Sequence, residues 1–438
     1  MSPRRPAIPS PDLDMEAGDL LPEVVVPPPG PRSRELSRHL ARSESPGVDT
    51  LGGGDASVVW QAARGANVLD VDGNRFLDLT AGFGVAAVGH RHPRVVAAVR
   101  EQSGRLLHGL GDVAAHPGRI ELARRLAALA PVDEPRVYPA ISGADAVEIA
   151  AKTAILATGR PGLVAFDPSY HGVTLGALAL SARPDFRLPF ARHIHPHVRR
   201  LPFASEAWRL DRLLRRHPVA AVVLEPVVGR EGVIPPPPGW LTAVAELCRE
   251  RDVLLVADEI FTGFGRTGTL FAVDAAGVRP DLLCCGKALA GGLPIGAVVG
   301  RSPLMEAWRH GSEALHTATF LGHPLACAAA LAVLDVLEED ALPERARRLG
   351  DAVAERLRPW PERYPAVAET RGRGLLQGVE LTGPTEAKRL TAALLARGVL
   401  ALAGGPRGTV LQIVPPLTIT DEQLTVALDL MEGCLREL

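Results

Sequence analysis

"CCGKALAGGL" (284–293) sets one lysine into a stretch with no other charge, directly after "DLL" (281–283). Of the 48 basic residues only Lys152, Lys287 and Lys388 are lysine, which leaves 45 arginines. Arginine keeps its proton inside proteins, whereas a buried lysine gives it up and becomes a nucleophilic amine. A position that needs only charge is written as arginine in this chain. The lysine at 287 therefore points to covalent chemistry through a Schiff base, against the plainer reading of a side chain that snorkels out of a core strand. Lys152 in "AVEIAAKTAIL" (146–156) and Lys388 in "PTEAKRLTAALL" (384–395) lie in helix-like stretches and read as solvated.

The runs around Lys287 set the architecture. "LVAF" (163–166), "AAVVLEPV" (220–227), "VLLVADEI" (253–260) and "LLCCG" (282–286) are short and apolar, and they alternate with helical periods such as "GRIELARRLAALA" (118–130) and "WLTAVAELCRERD" (240–252). That rhythm predicts an α/β domain over residues 95–324, with a mostly parallel sheet flanked by helices. Ligands of such sheets bind at the carboxyl ends of the strands. Residues 1–31 carry nine prolines and end in "VVVPPPGP", which predicts an extended or partly disordered arm, with compact structure beginning after it. Residues 32–94 contain an alternating stretch that turns at Asp72-Gly73, a hairpin signal. They are expected to form the N-terminal part of a smaller α+β domain. Residues 325–438 complete it with the helix "PLACAAALAVLDVLEE" (324–339) and the short strands "LLQGVEL" (375–381), "VLALAG" (399–404) and "VLQIV" (410–414).

A chain of 438 residues with net charge −2 has no basic field for nucleic acid. Its five cysteines, Cys248, Cys284, Cys285, Cys327 and Cys434, stand in apolar segments without metal-ligand spacing, and read as reduced core residues. No metal site is expected. No run approaches a membrane span and no apolar signal core opens the chain, so a cytoplasmic protein is expected.

At the strand ends the chemistry-bearing residues accumulate. Ser142-Gly143-Ala144 opens a helix and presents free N–H groups suited to a phosphate, although Ser142 as an ordinary cap explains the turn as well. Tyr170 and His171 follow "LVAFDPS", where an aromatic ring suits a planar cofactor or a plain core. Asp258 ends an apolar run and needs a partner, either a protonated aromatic nitrogen or a structural arginine. A phosphate cradle, a stacking ring, a carboxylate and a lone lysine together form the inventory for pyridoxal 5′-phosphate.

On the motifs "PGPRSRELSRHL", "DVDGNRFLDLTAGFGVAAVGHRHPRV", "SGADAVE", "YHG", "EPVVGREGVIPPPPGWL", "DEIFTGFGRTG", "GKALAGGLPIGAVVG", "HTATFLGHPLACAAA" and "RGRGLLQGVEL", the chain resembles the class III pyridoxal-phosphate aminotransferases of fold type I from about residue 30 onward. The resemblance implies Lys287 as the Schiff-base lysine and Asp258 as the carboxylate facing the pyridine nitrogen. It assigns Ser142, Gly143 and Ala144 to the phosphate turn, Tyr170 to one face of the ring and Ile260 to the other, with His171 and Glu225 also in the cofactor set. Thr319 matches a threonine that members contribute to the neighbouring subunit's phosphate, which implies a homodimer with shared sites. Phe83 stands where members place a substrate-facing residue.

Three departures accompany the match. Phe261 stands where many members have a glutamine that bonds the cofactor's phenolic oxygen. Gln412 replaces an arginine that grips a substrate carboxylate, and Arg230 replaces the glutamate that masks it. Arg230 is expected either to bind a carboxylate from the side opposite Gln412 or to be a solvated loop residue. The leading expectation is amino transfer between a primary amine or amino acid and a 2-oxo acid. Racemisation or epimerisation on the same scaffold is the alternative, supported by "PGPRSRELSRHL", which also resembles some racemase-like members. A non-catalytic scaffold has no reason to keep both Lys287 and Asp258.

Overall fold

Strands that read as unbroken apolar runs form the middle of a seven-stranded sheet. In the computed structural model, which describes residues 15, 17–48, 57–309 and 313–438, its order is Pro135–Ala140, Gly296–Arg301, Leu282–Cys285, Leu254–Asp258, Val219–Leu224, Gly162–Asp167, Val198–Pro202. From Leu282–Cys285 to Val198–Pro202 every neighbour is parallel. Gly296–Arg301 alone runs antiparallel to both its neighbours.

The period of two sorts each strand into two cores. Leu255, Ala257, Leu283 and Cys285 join one apolar cluster with the helices Trp240–Glu250 and Pro324–Glu339. Leu254, Val256, Leu282 and Cys284 join another with the helix Gly143–Thr158. Both faces are covered, so the central strands have no polar side. Because the strands run the same way, Ala140, Leu224, Asp258 and Cys285 end on one edge, where Asp258 pairs with Cys284 and Ala297 is level with both Pro139 and Cys285.

Two four-stranded sheets lie apart from it. Trp60–Arg64, Asn67–Asp70 and Arg75–Asp78 are antiparallel, with the turn at Gly73 in the left-handed region (φ +91°). The stretch "VLALAG" breaks into two strands: Val399–Leu400 pairs parallel with Leu77 and Asp78, and Leu402–Gly404 pairs with Val410–Ile413. Val367–Arg373 and Leu376–Leu381 complete that last sheet.

Packed structure begins inside the proline-rich arm, not after it. Glu23 and Arg75 exchange both backbone bonds at 2.8 Å, and the Val25 and Val26 N–H groups donate to Asn74 Oδ1. The arm ends at the helix Pro31–Leu40, whose first N–H groups, of Arg32 and Ser33, donate to the Asp72 carboxylate. The described part of the arm, residues 15 and 17–31, is thus held by side-chain amides of the hairpin, a contact that composition does not encode, and its first fourteen residues lie outside the described residues. No helix among the described residues is long and apolar enough to cross a membrane.

Candidate active site

Lys287 follows its strand by two residues and opens a single 3-10 turn, Lys287–Ala290. Its φ of +41° lies in the left-handed region, a conformation that costs a non-glycine residue roughly 1–3 kcal/mol and persists where packing over-determines it. The side chain is half-buried, with Nζ 4.2 Å from the centroid of the Phe261 ring. Burial pushes the ammonium below the ordinary lysine range; Asp258 and Glu225 oppose that shift and Arg230 adds to it.

Asp258 is buried at the end of its strand, and its Oδ2 lies 2.7 Å from His171 Nδ1. Its Oδ1 accepts from the Ile260 N–H at 3.1 Å. The position of His171 is fixed in turn by Ser181, whose hydroxyl accepts from the His171 N–H and donates to Gly172 O. His171 Nε2 is buried with no hydrogen-bond partner among the described residues. Glu225 receives the N–H groups of Tyr170 and Gly229, each at 2.9 Å, and so braces two loops at once. Burial raises its carboxyl to about 7.

At the adjacent strand end, Ser142 caps the helix Gly143–Thr158 by accepting from Asp145 N. The Gly143 and Ala144 N–H groups have no partner among the described residues. Gly143 lies so close to Ile260 that a Cβ there would stand 2.9 Å from Ile260 Cγ2, and Gly286 touches the same side chain. Tyr170 carries the Arg230 guanidinium over its ring at 4.3 Å, and the same guanidinium lies 5.3 Å from Phe186.

The Arg230 side chain is part-buried against two aromatic rings, and its backbone is tied to Gln412. The Gln412 amide donates to the carbonyl oxygens of Gly229 and Arg230, at 3.2 and 3.0 Å, and so ties down the backbone that carries the arginine. Arg230 Nη1 is buried without a hydrogen bond, 3.6 Å from Glu231 Oε1. Phe83 is 58% exposed on a turn, Ala81–Gly84, whose four residues all have positive φ; that turn packs against Lys287–Ala290. Thr319 is exposed and lies against Gly111; no hydrogen bond joins it to the Ser142–Ala144 turn of its own chain. The sequence reading missed two features: the bond from His171 to Asp258, signalled only by the neighbouring Tyr-His-Gly, and the contact of Phe261 with Lys287.

The residues present suit pyridoxal 5′-phosphate on their own chemistry: a desolvated amine, a carboxylate held by an imidazole, two unpaired N–H groups at a helix start, and an aromatic and an aliphatic side chain. The Cys284 and Cys285 thiols are pushed up by burial and stay protonated, so they offer no competing nucleophile. A family model described as "Aminotransferase class-III" matches residues 52–435. The chain belongs to the class-III aminotransferases. Members of this family are pyridoxal-phosphate-dependent, and the chain is accordingly a pyridoxal-phosphate-dependent transaminase.

Among relatives of this aminotransferase, the acetylornithine aminotransferase of Methanothermobacter thermautotrophicus is 39% identical over 87% of this chain and 94% of that protein. The 4-aminobutyrate aminotransferase of Mycobacterium bovis is 37% identical over 94% of this chain and 97% of that protein. Among solved structures, the ornithine aminotransferase of Toxoplasma gondii superposes with a TM-score of 0.81 at 34% identity, covering 87% of this chain and 90% of that one.

Proposed function

We propose that this aminotransferase moves an amino group from a primary amine or amino acid to a 2-oxo acid, with Lys287 as the covalent anchor and proton carrier. The observation that carries the reading is the environment of Lys287: an amine desolvated enough to fall below the usual lysine range, yet flanked by Asp258 and Glu225. Pyridoxal phosphate, when bound, supplies an electron sink that acidifies the C–H beside the substrate nitrogen.

The chain's own residues do the rest. Gly143 and Ala144 offer their unpaired N–H groups to the phosphate at the positive end of a helix. Asp258, kept in place by His171 and the Ile260 N–H, would be the carboxylate partner of the ring nitrogen. Tyr170 and Ile260 are the side chains that would hold the ring from either side. Once free, Lys287 Nζ accepts a proton from the amine-bearing carbon of the donor, a role that its lowered proton affinity favours. Arg230, with one nitrogen unpaired, takes the carboxylate of the 2-oxo acid or of an amino-acid donor, and Phe83 meets the substrate from its exposed turn. Relatives named for acetylornithine, 4-aminobutyrate and ornithine all act on amines carried by carboxylated chains, and none of these names favours racemisation.

A second copy of the chain completes the site in this reading. Leu107, Leu110 and Val113 are exposed on a segment that touches Phe320 through His108 and Thr319 through Gly111, and Ile120 and Phe320 are exposed beside it. An apolar patch that surrounds Thr319 suits a twofold partner. All five cysteines are unbonded and buried, in keeping with a cytoplasmic location.

The test is a panel of amino donors assayed with pyruvate or 2-oxoglutarate, with and without the keto acid. Transfer is expected to be stoichiometric and to need the keto acid, and Lys287→Ala and Lys287→Arg are both expected to lose it along with the visible absorbance of the lysine-linked cofactor. Turnover of a single enantiomer without keto acid, or full activity in either variant, overturns the assignment.

A further inference from the structure

Phe261 fills the gap between two glycines. A Cβ on Gly84 would stand 2.6 Å from Phe261 Cε2, and one on Gly229 would stand 2.2 Å from Cδ1, both inside hard contact. The ring is half-buried and packs on Val227, Val233, Leu376 and Val414. Gly84 follows Phe83 and Gly229 precedes Arg230, so the two loops that carry the proposed substrate residues both close on this ring. Its remaining contact is Lys287, whose Nζ lies 4.2 Å from the ring centroid. An ammonium at that distance is attracted by the negative face of the ring, and the attraction grows where water is excluded.

We propose that Phe261 is a positioning residue whose ring face seats the free ammonium of Lys287 and stabilises its charged form. The groups that face the amine leave room for such a contribution. Burial and the Arg230 guanidinium disfavour the proton, while the Asp258 and Glu225 carboxylates favour it. Both carboxylates are held elsewhere: Asp258 by His171 and the Ile260 N–H, Glu225 by the N–H groups of Tyr170 and Gly229. The ring is the surface on which the ammonium rests. The ring is packed tightly between two glycines, so the seat does not depend on the lysine for its place. The consequence for catalysis rests on Lys287 being the reactive amine, but the contact is read without turnover, so either reading can fail alone.

With only three lysines, the chain allows a direct measurement. The full-length protein, stripped of cofactor, is reductively methylated with ¹³C-formaldehyde, and each dimethyl-lysine signal is titrated by NMR. Removing the ring face removes stabilisation of the charged form, so the Lys287 midpoint must move down. Phe261→Leu is expected to lower it by roughly half to one and a half pH units, with Phe261→Tyr restoring it and Lys152 and Lys388 unmoved. Lys152 also reports folding through its 2.9 Å contact with His316. Should the leucine variant fail to fold, phenylalanines with increasing ring fluorination at 261 keep the shape and weaken the ring face stepwise, and the midpoint is expected to fall with each fluorine. A Lys287 midpoint that stays put across the leucine or fluorinated series, or that rises, overturns the proposal.

Discussion

A guanidinium that lies on one aromatic ring and beside another, with one nitrogen unpaired, is held by dispersion and charge without its hydrogen-bonding capacity being filled. Arg230 is in that state, between Tyr170 and Phe186. Its neighbour Glu231 forms an ion pair with it at 3.6 Å but no hydrogen bond, and neither Glu231 oxygen has a hydrogen-bond partner among the described residues. A charge-assisted bond to a carboxylate contributes about 1.5–3 kcal/mol, so Arg230→Ala is expected to lower kcat/KM for carboxylated partners by roughly 10- to 150-fold. Monoamine donors, measured in the same half-reaction, should change little, and Arg230→Lys should rescue poorly because an ammonium lacks the planar fork. Equal losses for both substrate classes would make the arginine structural. Lys287 was conspicuous because it breaks the chain's own use of arginine, and Arg230 because it departs from the motif of the family the chain resembles. The sequence did not reveal where Arg230 points, since the rings beneath it come from the loop at Tyr170 and the short helix Pro184–Arg187.

Elements divide by the same logic. The central strands were legible because burial on both faces leaves only apolar residues, and the hairpin at Asp72-Gly73 because a turn must pass through positive φ. "VLALAG" was read as one strand and is two, since its halves pair with different sheets and nothing in its composition marks the break. Gly229 was silent, because what forbids a side chain there is the Phe261 ring, remote in sequence, and at Gly84 the same ring adds to a positive φ of +83°. Their role is testable as a packing term. Gly229→Ala puts a methyl 2.2 Å from that ring, and the strain is expected to cost about 1–3 kcal/mol of stability. The same backbone accepts the Gln412 amide and donates to Glu225, so cofactor affinity should fall with it. Combining Gly229→Ala with Phe261→Leu should recover part of the loss of stability in urea unfolding, a favourable coupling of 0.5 kcal/mol or more expected for residues in contact. Strict additivity of the two changes would mean that the ring and the loop do not share the slot.

For the whole molecule, the open question is how many chains make a site. In one chain the lysine, the two carboxylates and the phosphate turn converge on one edge of the sheet, whereas Thr319 faces outward within a patch of exposed leucine, valine, isoleucine and phenylalanine. Burying such a patch against its twofold copy would contribute about 25 cal/mol per Å² of apolar surface removed from water. In the proposed dimer, Thr319 serves the phosphate turn of the partner subunit. That arrangement makes a prediction which no single-chain site can meet. Lys287→Ala homodimers should be inactive, and Thr319→Ala homodimers should bind pyridoxal phosphate more weakly. In a mixed dimer of the two variants, a threonine acting across the interface places both lesions in one site and leaves the other with an intact lysine and an intact threonine. Heterodimers isolated with two affinity tags should therefore bind cofactor with unimpaired affinity at one site and regain about half the wild-type activity per dimer. A threonine acting within its own chain leaves no intact site in the mixture, and heterodimers that only ever show the weakened affinity of Thr319→Ala would exclude the shared arrangement.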